Sequence, residues 1–283
     1  MIKIGGSCVV HKHRGIQPLL LGFRTYASGS EVKPKKKTKT QTDISQIPVK
    51  SIATIADFYV PPKLTQYSVL CWHRLLFRRL GAFAINTYNI VKFKQDTKLK
   101  LRFNNWKEDA MEKFVRTNKA FAQGCSLPKE RRQKFLNLKL EGNTGTLVTQ
   151  SLVERAKSFP DIGKLKWELL SIEENPKVSS FTILPDGNDV TTYVQMVIKV
   201  KTKQKVTFTN GKDTKETEKE VSDNLVYTLN PFSDELVLVG KIFDSDNIRG
   251  IQPDLNFQET RAMQEFQRQT SDIFRANPKT VNS

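Results

Sequence analysis

The spacing of the apolar residues changes near residue 160, and this change constrains the fold more than any other feature of the sequence. Before it, apolar residues recur three and four positions apart, as in Phe103–Gln123, which predicts amphipathic helices. After it, they alternate with polar residues, as in Tyr193–Phe208, which predicts half-buried strands. Helices followed by consecutive strands predict an α+β fold, with the helices covering one face of a curved antiparallel sheet.

The helical half contains four predicted helices. Pro61-Pro62 predicts the start of the first, since proline suits a first helical turn, and Gly81 is expected to bend or break it. Gly124 is a predicted C-cap of the second helix. The predicted spans are Leu64–Phe93, Phe103–Gln123, Lys129–Leu140 and Leu147–Phe159.

The second half predicts an antiparallel meander followed by a polar helix over Asp254–Ala276. Pro185-Asp186-Gly187-Asn188 is typical of a turn. The last strand, Leu236–Phe243, is apolar on both faces and is therefore expected to be central in the sheet. The predicted strands are Leu165–Ile172, Val178–Leu184, Tyr193–Phe208, Lys215–Leu229 and Leu236–Phe243, with the first two joined across Asn175-Pro176.

The dipeptide Asn210-Gly211 predicts a two-residue hairpin turn. That turn would pair opposite charges on one face of the hairpin and apolar residues on the other, as cross-strand pairing favours. The expected facing pairs are Lys205 with Glu216, Lys203 with Glu218, Lys201 with Glu220, and Val200 with Val221.

The first predicted helix is strongly apolar and basic, and no acid occurs between Asp57 and Asp96. Three interpretations stay open: contact with an anionic membrane surface, contact with RNA, or a core helix with a solvated basic side. The candidate contact residues for lipid headgroups or RNA are Arg74, Arg78, Arg79, Lys92, Lys94, Lys98 and Lys100.

The N-terminus has the composition of a mitochondrial transit peptide, because it is basic and apolar and its first acid is Glu31. Arg24, with the aromatic Tyr26 two positions later and then Ala27, resembles a matrix processing site. A secretory signal is one rival interpretation, since Ile16–Phe23 is apolar, and an ordinary core strand is another. The scattered basic residues favour the transit peptide.

Cleavage after Tyr26 is therefore expected, since the processing pattern ends there. N-terminal sequencing of the protein from the mitochondrial matrix should start at Ala27 or a few residues later. A mature chain that retains Met1 would contradict the prediction.

The sequence predicts four segments: a transit peptide over 1–26, a disordered basic linker over 27–50, a single domain over 51–250, and a C-terminal helix and tail over 251–283. The formal net charge is +17, and loss of residues 1–26 removes four basic residues and no acids. A balance this basic predicts a polyanionic partner.

No catalytic constellation is evident in the sequence, and no enzyme activity, cofactor or small-molecule substrate is predicted. His73 is the one histidine beyond the predicted presequence, and it has no carboxylate within four residues. Cys71 and Cys125 show no pairing pattern and lack the further ligands that a metal site needs. No run of eighteen apolar residues predicts a membrane-spanning helix.

Five groups of residues carry a resemblance to a known family: Arg78-Arg79-Leu80, Trp106-Lys107 with Phe114–Phe121, Leu165-Lys166-Trp167, Thr202-Lys203-Gln204 and Leu238-Val239-Gly240-Lys241-Ile242-Phe243. In this order they resemble the family of fungal mitochondrial inner-membrane ribosome receptors. The resemblance extends over about residues 55–245 and fades after Ser245.

The resemblance implies a cystatin-like or NTF2-like domain, related to a mitoribosomal large-subunit protein and to the C-terminal domain of the import motor's docking subunit. It implies a peripheral protein on the matrix face of the inner membrane, with inner-membrane lipids as one partner. It also implies binding of the large mitoribosomal subunit, through rRNA and proteins near the tunnel exit, and alignment of that subunit with an Oxa-type insertase. Two alternatives remain open: a structural subunit of the mitoribosome and a membrane scaffold of the import motor.

Overall fold

A computed structural model describes residues 43–211, 213–245 and 259–277. The predicted processing residues Arg24, Tyr26 and Ala27 lie outside the described residues, as does most of the predicted linker. Packing begins earlier than the predicted domain start at residue 51. Two 3-10 turns, Ile44–Gln46 and Val49–Ser51, begin before that residue, and Val49 is buried.

The predicted α+β class is confirmed, with helices packed on a curved four-stranded antiparallel sheet. The helices are α1 (Trp72–Thr97), α2 (Phe103–Cys125), α3 (Lys129–Leu140), α4 (Thr146–Lys157) and α5 (Thr260–Ser271). The strands are β1 (Gly163–Pro185), β2 (Thr191–Asn210), β3 (Asp213–Asn230) and β4 (Glu235–Ile242), and they lie in the order β1-β2-β3-β4.

The helix ends expected from the prolines and glycines are wrong at three points. The first helix starts at Trp72 and not at Pro61-Pro62, because two 3-10 turns intervene, and it runs through Gly81 without interruption. Gly124 lies inside α2, whose C-cap is Ser126. A Cβ at Gly124 would come within 2.7 Å of the Leu136 side chain, so this glycine serves the close approach of α2 and α3.

The two predicted strands before Pro185 form one strand, so the expected break at Asn175-Pro176 is wrong. β1 pairs with β2 along its length, and its register shifts around this dipeptide, between Glu174 and Lys177. The outer position of β1 explains the difference, because an edge strand tolerates bulges and a proline that donates no hydrogen bond.

The hairpin after Asn210 has the predicted faces but not the predicted register. Asn210 pairs with Asp213 across the turn, so Lys205 faces Glu218, two residues from the expected partner. Gly211, with a φ of 62°, takes the first turn position and not the second. A shift of two residues keeps every side chain on its face. Two of the three expected ion pairs therefore form diagonally, Lys205–Glu216 at 2.8 Å and Lys203–Glu218 at 3.3 Å, whereas Lys201 lies 3.7 Å from Glu174.

The expected central position of the last strand is wrong, because β4 lies at the end of the sheet. Its two faces are nevertheless both buried, which explains the apolar pattern. The loop before α4 covers its outer edge, where Gly145 N–H donates to Leu238 O at 2.8 Å and Leu238 N–H donates to Asn143 O at 3.0 Å. Covering an edge in this way prevents unwanted strand pairing.

The core has one layer on each face of the sheet. The larger layer lies beneath the helices and includes Phe93, Trp106 and Tyr227. The smaller layer lies on the opposite face, where the segment from Val49 to Val60 packs on Val197 and Val226. The sheet is thus a rigid support, against which α1 is held at the open edge of β1.

Candidate functional site: the outward surface of α1

The inner face of α1 is partly polar because it meets the edge of β1. Asn86 Nδ2 donates to Ser179 O at 3.2 Å, and Asn86 Oδ1 accepts from Phe181 N–H at 3.0 Å. Asn89 Nδ2 donates to Phe181 O at 2.9 Å. These two asparagines satisfy backbone groups that an edge strand leaves open. Leu75 and Phe93 supply the fully buried apolar contacts of the helix.

The outer face of α1 and of the turn before it carries large apolar side chains in solvent. The stripe that includes Leu76, Leu80 and Phe83 is typical of a core-facing helix side, but the structure places it away from the core. We define the α1 apolar surface as eight exposed residues: Val69, Leu70, Leu76, Phe77, Leu80, Phe83, Tyr88 and Val91. Contiguous apolar surface of this kind is unusual on a monomer and marks an interaction site.

The charged side chains that residues 58–95 place around this surface are all basic. With 3.6 residues per turn, Arg74 lies on one margin of the α1 apolar surface and Lys94 lies near the other, while Arg78 lies about 40° beyond Arg74, toward the inner face of the helix. Arg74 and Lys94 are exposed, and Arg78 is half-buried. Since residues 58–95 contain no acid, no carboxylate of this segment offsets these charges.

Arg79 makes a contact within the protein. Its Nη2 donates to Pro62 O at 2.6 Å and so fixes the chain that leads into α1. Substitution of Arg79 therefore tests this support and not a contact with a partner.

Lys92 also makes contacts within the protein. Its Nζ donates to the Asp189 carboxylate at 3.1 Å and lies 3.5 Å from Asp96, which ties α1 to the turn between β1 and β2. The hydrogen bond to Asp189 raises the pKa of Lys92. The Thr191 hydroxyl donates to Asp96 at 2.6 Å, and this bond lowers the pKa of Asp96.

Lys94, Lys98 and Lys100 form an exposed cluster at the C-terminal end of α1. Lys98 ends the helix with a φ of 57°, and its N–H donates to Lys94 O at 3.0 Å. Cations are favoured there by the helix dipole. At 1.5 Å per residue, this cluster lies about 36 Å along the helix from Arg74. The seven candidate residues therefore form two separate groups and not one site.

Sequence reasoning left the exposure of the apolar residues of α1 open and named none of them as a candidate contact residue. Its candidates were charged residues only, because an apolar stripe on a helix normally faces a core. One signal was available: Asn86 and Asn89 lie on the side that packs against β1, where a helix that covers a sheet is usually apolar. Their spacing opposite the stripe indicates a helix whose polar side faces inward.

The described residues contain no group of three or more potential metal ligands. Cys125 is buried, and burial raises the pKa of its thiol to about 11. A groove of about 780 Å³ lies between α2 and β1, lined by residues that include Lys119, Trp167 and Leu169. Of these features, the α1 apolar surface is the one whose side chains indicate the chemistry of a partner.

None of the helices in the part of the chain that the structure describes is long and apolar enough to cross a membrane. The fold thus presents on α1 an exposed apolar surface with basic residues beside it.

The comparisons with known proteins give the family. The sequence model of the MBA1-like protein family matches residues 38–279, so the chain belongs to this family. A relative in Saccharomyces cerevisiae is the "Inner membrane mitoribosome receptor MBA1, mitochondrial". It is 25% identical over 224 residues, which cover 76% of this chain and 75% of the relative. The resemblance is thus confirmed, and with it the expected location at the mitochondrial inner membrane.

Proposed function

We propose that this protein is a peripheral receptor on the matrix face of the mitochondrial inner membrane, which binds the large mitoribosomal subunit near the tunnel exit. The observation that carries the proposal is membership of the MBA1-like family, whose yeast relative is named a mitoribosome receptor. The formal charge of +17, less the four basic residues of the expected presequence, still leaves +13 and supports the proposal, since rRNA is a polyanion. Binding needs no sequence-reading motif, because A-form RNA is recognised mainly by shape and backbone.

The finer proposal is that the bound ribosome is aligned with an Oxa-type insertase while membrane proteins are made. A rigid body that binds both a ribosome and a membrane tethers one to the other, because the second contact becomes intramolecular. The ribosome is also oriented relative to the membrane if the two contacts lie on different parts of the protein. The roughly 36 Å between Arg74 and the lysine cluster satisfies this condition.

Crosslinking mass spectrometry on membrane-bound mitoribosomes tests this function. Crosslinks from Lys94, Lys98 or Lys100 to large-subunit proteins at the tunnel exit, together with crosslinks to the insertase, are expected. Crosslinks confined to import-motor chaperones would instead support a motor scaffold. A structural subunit would stay with ribosomes through salt washing, whereas the receptor should be released by salt and by carbonate.

Changing Lys94, Lys98 and Lys100 together to glutamine should weaken ribosome binding in a salt-dependent way. Each lost phosphate contact lowers the slope of log K against log salt by about 0.7–0.9, so the slope should fall by about two to three. Co-sedimentation with large subunits across a salt series measures this slope. The matched control changes Lys134, Lys139 and Lys157, which are also exposed and alter net charge equally. Equal slopes for both triple variants would contradict a specific role of the cluster.

A further inference from the structure

We propose that the α1 apolar surface is a lipid-binding surface, and that α1 lies in the plane of the membrane with this surface among the acyl chains. The inference rests on the proposed location of the protein, and it assigns to one surface a contact that the sequence leaves open between lipid and RNA. Its evidence is the exposure of the eight residues defined above.

The large exposed fraction of the apolar side chains on α1 favours contact with lipid. Leu70 is 82% exposed, Phe77 is 73% exposed and Phe83 is 68% exposed, so little of these side chains is buried in the protein. Transfer of such side chains from water to hydrocarbon is favourable by about 25 cal/mol per Å² of apolar area. RNA phosphates offer no comparable environment for them. The apolar chemistry therefore favours lipid over RNA.

The basic residues beside the α1 apolar surface favour anionic lipid. Arg74 lies beside the α1 apolar surface and is exposed, and residues 58–95 contain no acid. Long basic side chains at such margins reach the headgroups while their stems stay among apolar atoms. The margin is complementary to anionic lipid. A second copy of this chain would instead bring identical basic margins together, which disfavours a dimer through this face.

The aromatic residues Trp72 and Tyr88 also favour a position at the membrane surface. Tyr88 is exposed on the α1 apolar surface, and Trp72 lies at its edge with 36% of its surface exposed. The Trp72 indole N–H donates to Tyr67 O at 3.2 Å, so its ring is fixed at the start of the helix. Tryptophan and tyrosine favour the boundary between headgroups and acyl chains.

Trp72 also provides a specific probe of this contact. The chain has three tryptophans, and the other two, Trp106 and Trp167, are 3% and 7% exposed. A change in emission on lipid binding therefore reports the start of α1. The protein purified from mitochondria is mixed with vesicles of phosphatidylcholine containing one third phosphatidylglycerol, without ribosomes. We expect a blue shift of the emission and quenching by lipids brominated on their acyl chains.

The double variant Phe77→Glu with Leu80→Glu should lower vesicle partitioning at least about tenfold, because it removes apolar area and places acids among lipids. The matched control is Phe232→Glu with Leu138→Glu, which changes two similarly exposed side chains outside α1 and should partition like the wild type. Arg74→Gln should weaken binding to the anionic vesicles about fivefold.

An unchanged Trp72 emission would overturn the proposal, and so would equal partitioning of the two double variants. If Phe77→Glu with Leu80→Glu instead impaired only binding to isolated large subunits, the surface would be a ribosome contact. A surface covered by the chain's own residues outside the described ranges would also leave the emission unmoved. Because the vesicle assay contains no ribosomes, its failure does not affect the proposed ribosome binding.

Discussion

Arg132→Met lowers the free energy of unfolding by about 3–5 kcal/mol, because it removes a buried cation that binds several backbone carbonyls. The Arg132 side chain is fully buried. Its guanidinium donates to Leu127 O at 2.7 Å, Ala156 O at 2.8 Å and Phe159 O at 2.6 Å. Methionine retains apolar packing but leaves these acceptors without a donor.

The position of these carbonyls explains why the effect should be large. Nη2 of Arg132 also donates to Pro160 O at 3.1 Å and to the Asp161 carboxylate at 3.3 Å. Together these contacts satisfy the backbone carbonyls at the C-terminal end of α4 and fix the position of the chain that enters β1. A cation is favoured at a helix C-terminus, where the last carbonyls lack partners within the helix.

Urea denaturation followed by circular dichroism measures the loss in stability. Arg131→Met is the matched control, since Arg131 is the adjacent arginine of α3 and is exposed. The control should change the free energy of unfolding by less than about 0.5 kcal/mol. Equal denaturation midpoints for the two variants would show that the buried contacts of Arg132 contribute no net stability.

Gly240→Ala should destabilise the protein by about 1–3 kcal/mol, the usual cost of forcing an extra group into a packed core. A Cβ at Gly240 would lie 2.6 Å from Thr54 Oγ1 and 2.9 Å from Thr270 O. One of these atoms belongs to the N-terminal segment and the other to the backbone of α5, so both segments must shift.

Limited proteolysis together with urea denaturation tests this prediction. Cleavage next to α5 should become faster in Gly240→Ala, since the helix loses its close contact with β4. The control Gly187→Ala adds the same methyl group where the nearest atom, Asp43 Oδ2, lies 3.7 Å away. Similar cleavage rates and midpoints for the two variants would show that the site accommodates a methyl group.

The regular elements could be predicted from the sequence because each has its own local signal. The start of α2 at Phe103 and the whole of α3 match the predicted bounds. The faces of the β2–β3 hairpin follow from the alternation of its residues, whereas its register depends on which turn position Gly211 occupies. The two possibilities differ by two residues and present the same faces, so the pattern could not separate them.

The errors arose where tertiary contacts decide the outcome. β4 has the composition of a central strand because the helices cover one face and the segment from Val49 to Val60 covers the other. The outward direction of the α1 stripe is likewise set by the edge of β1, which binds Asn86 and Asn89. The packing around β4 leaves no periodic signal in that strand, and the contact at β1 is indicated only by the spacing of Asn86 and Asn89 opposite the apolar stripe.

The central claim, that this protein binds the large mitoribosomal subunit through a basic surface, is tested most directly by co-sedimentation of the purified protein with isolated large subunits across a salt series and without membranes. We expect co-pelleting at low salt, a linear fall in log K with log salt, and much weaker binding to small subunits. Failure to pellet with large subunits at low salt would contradict the claim, as would equal binding to both subunits.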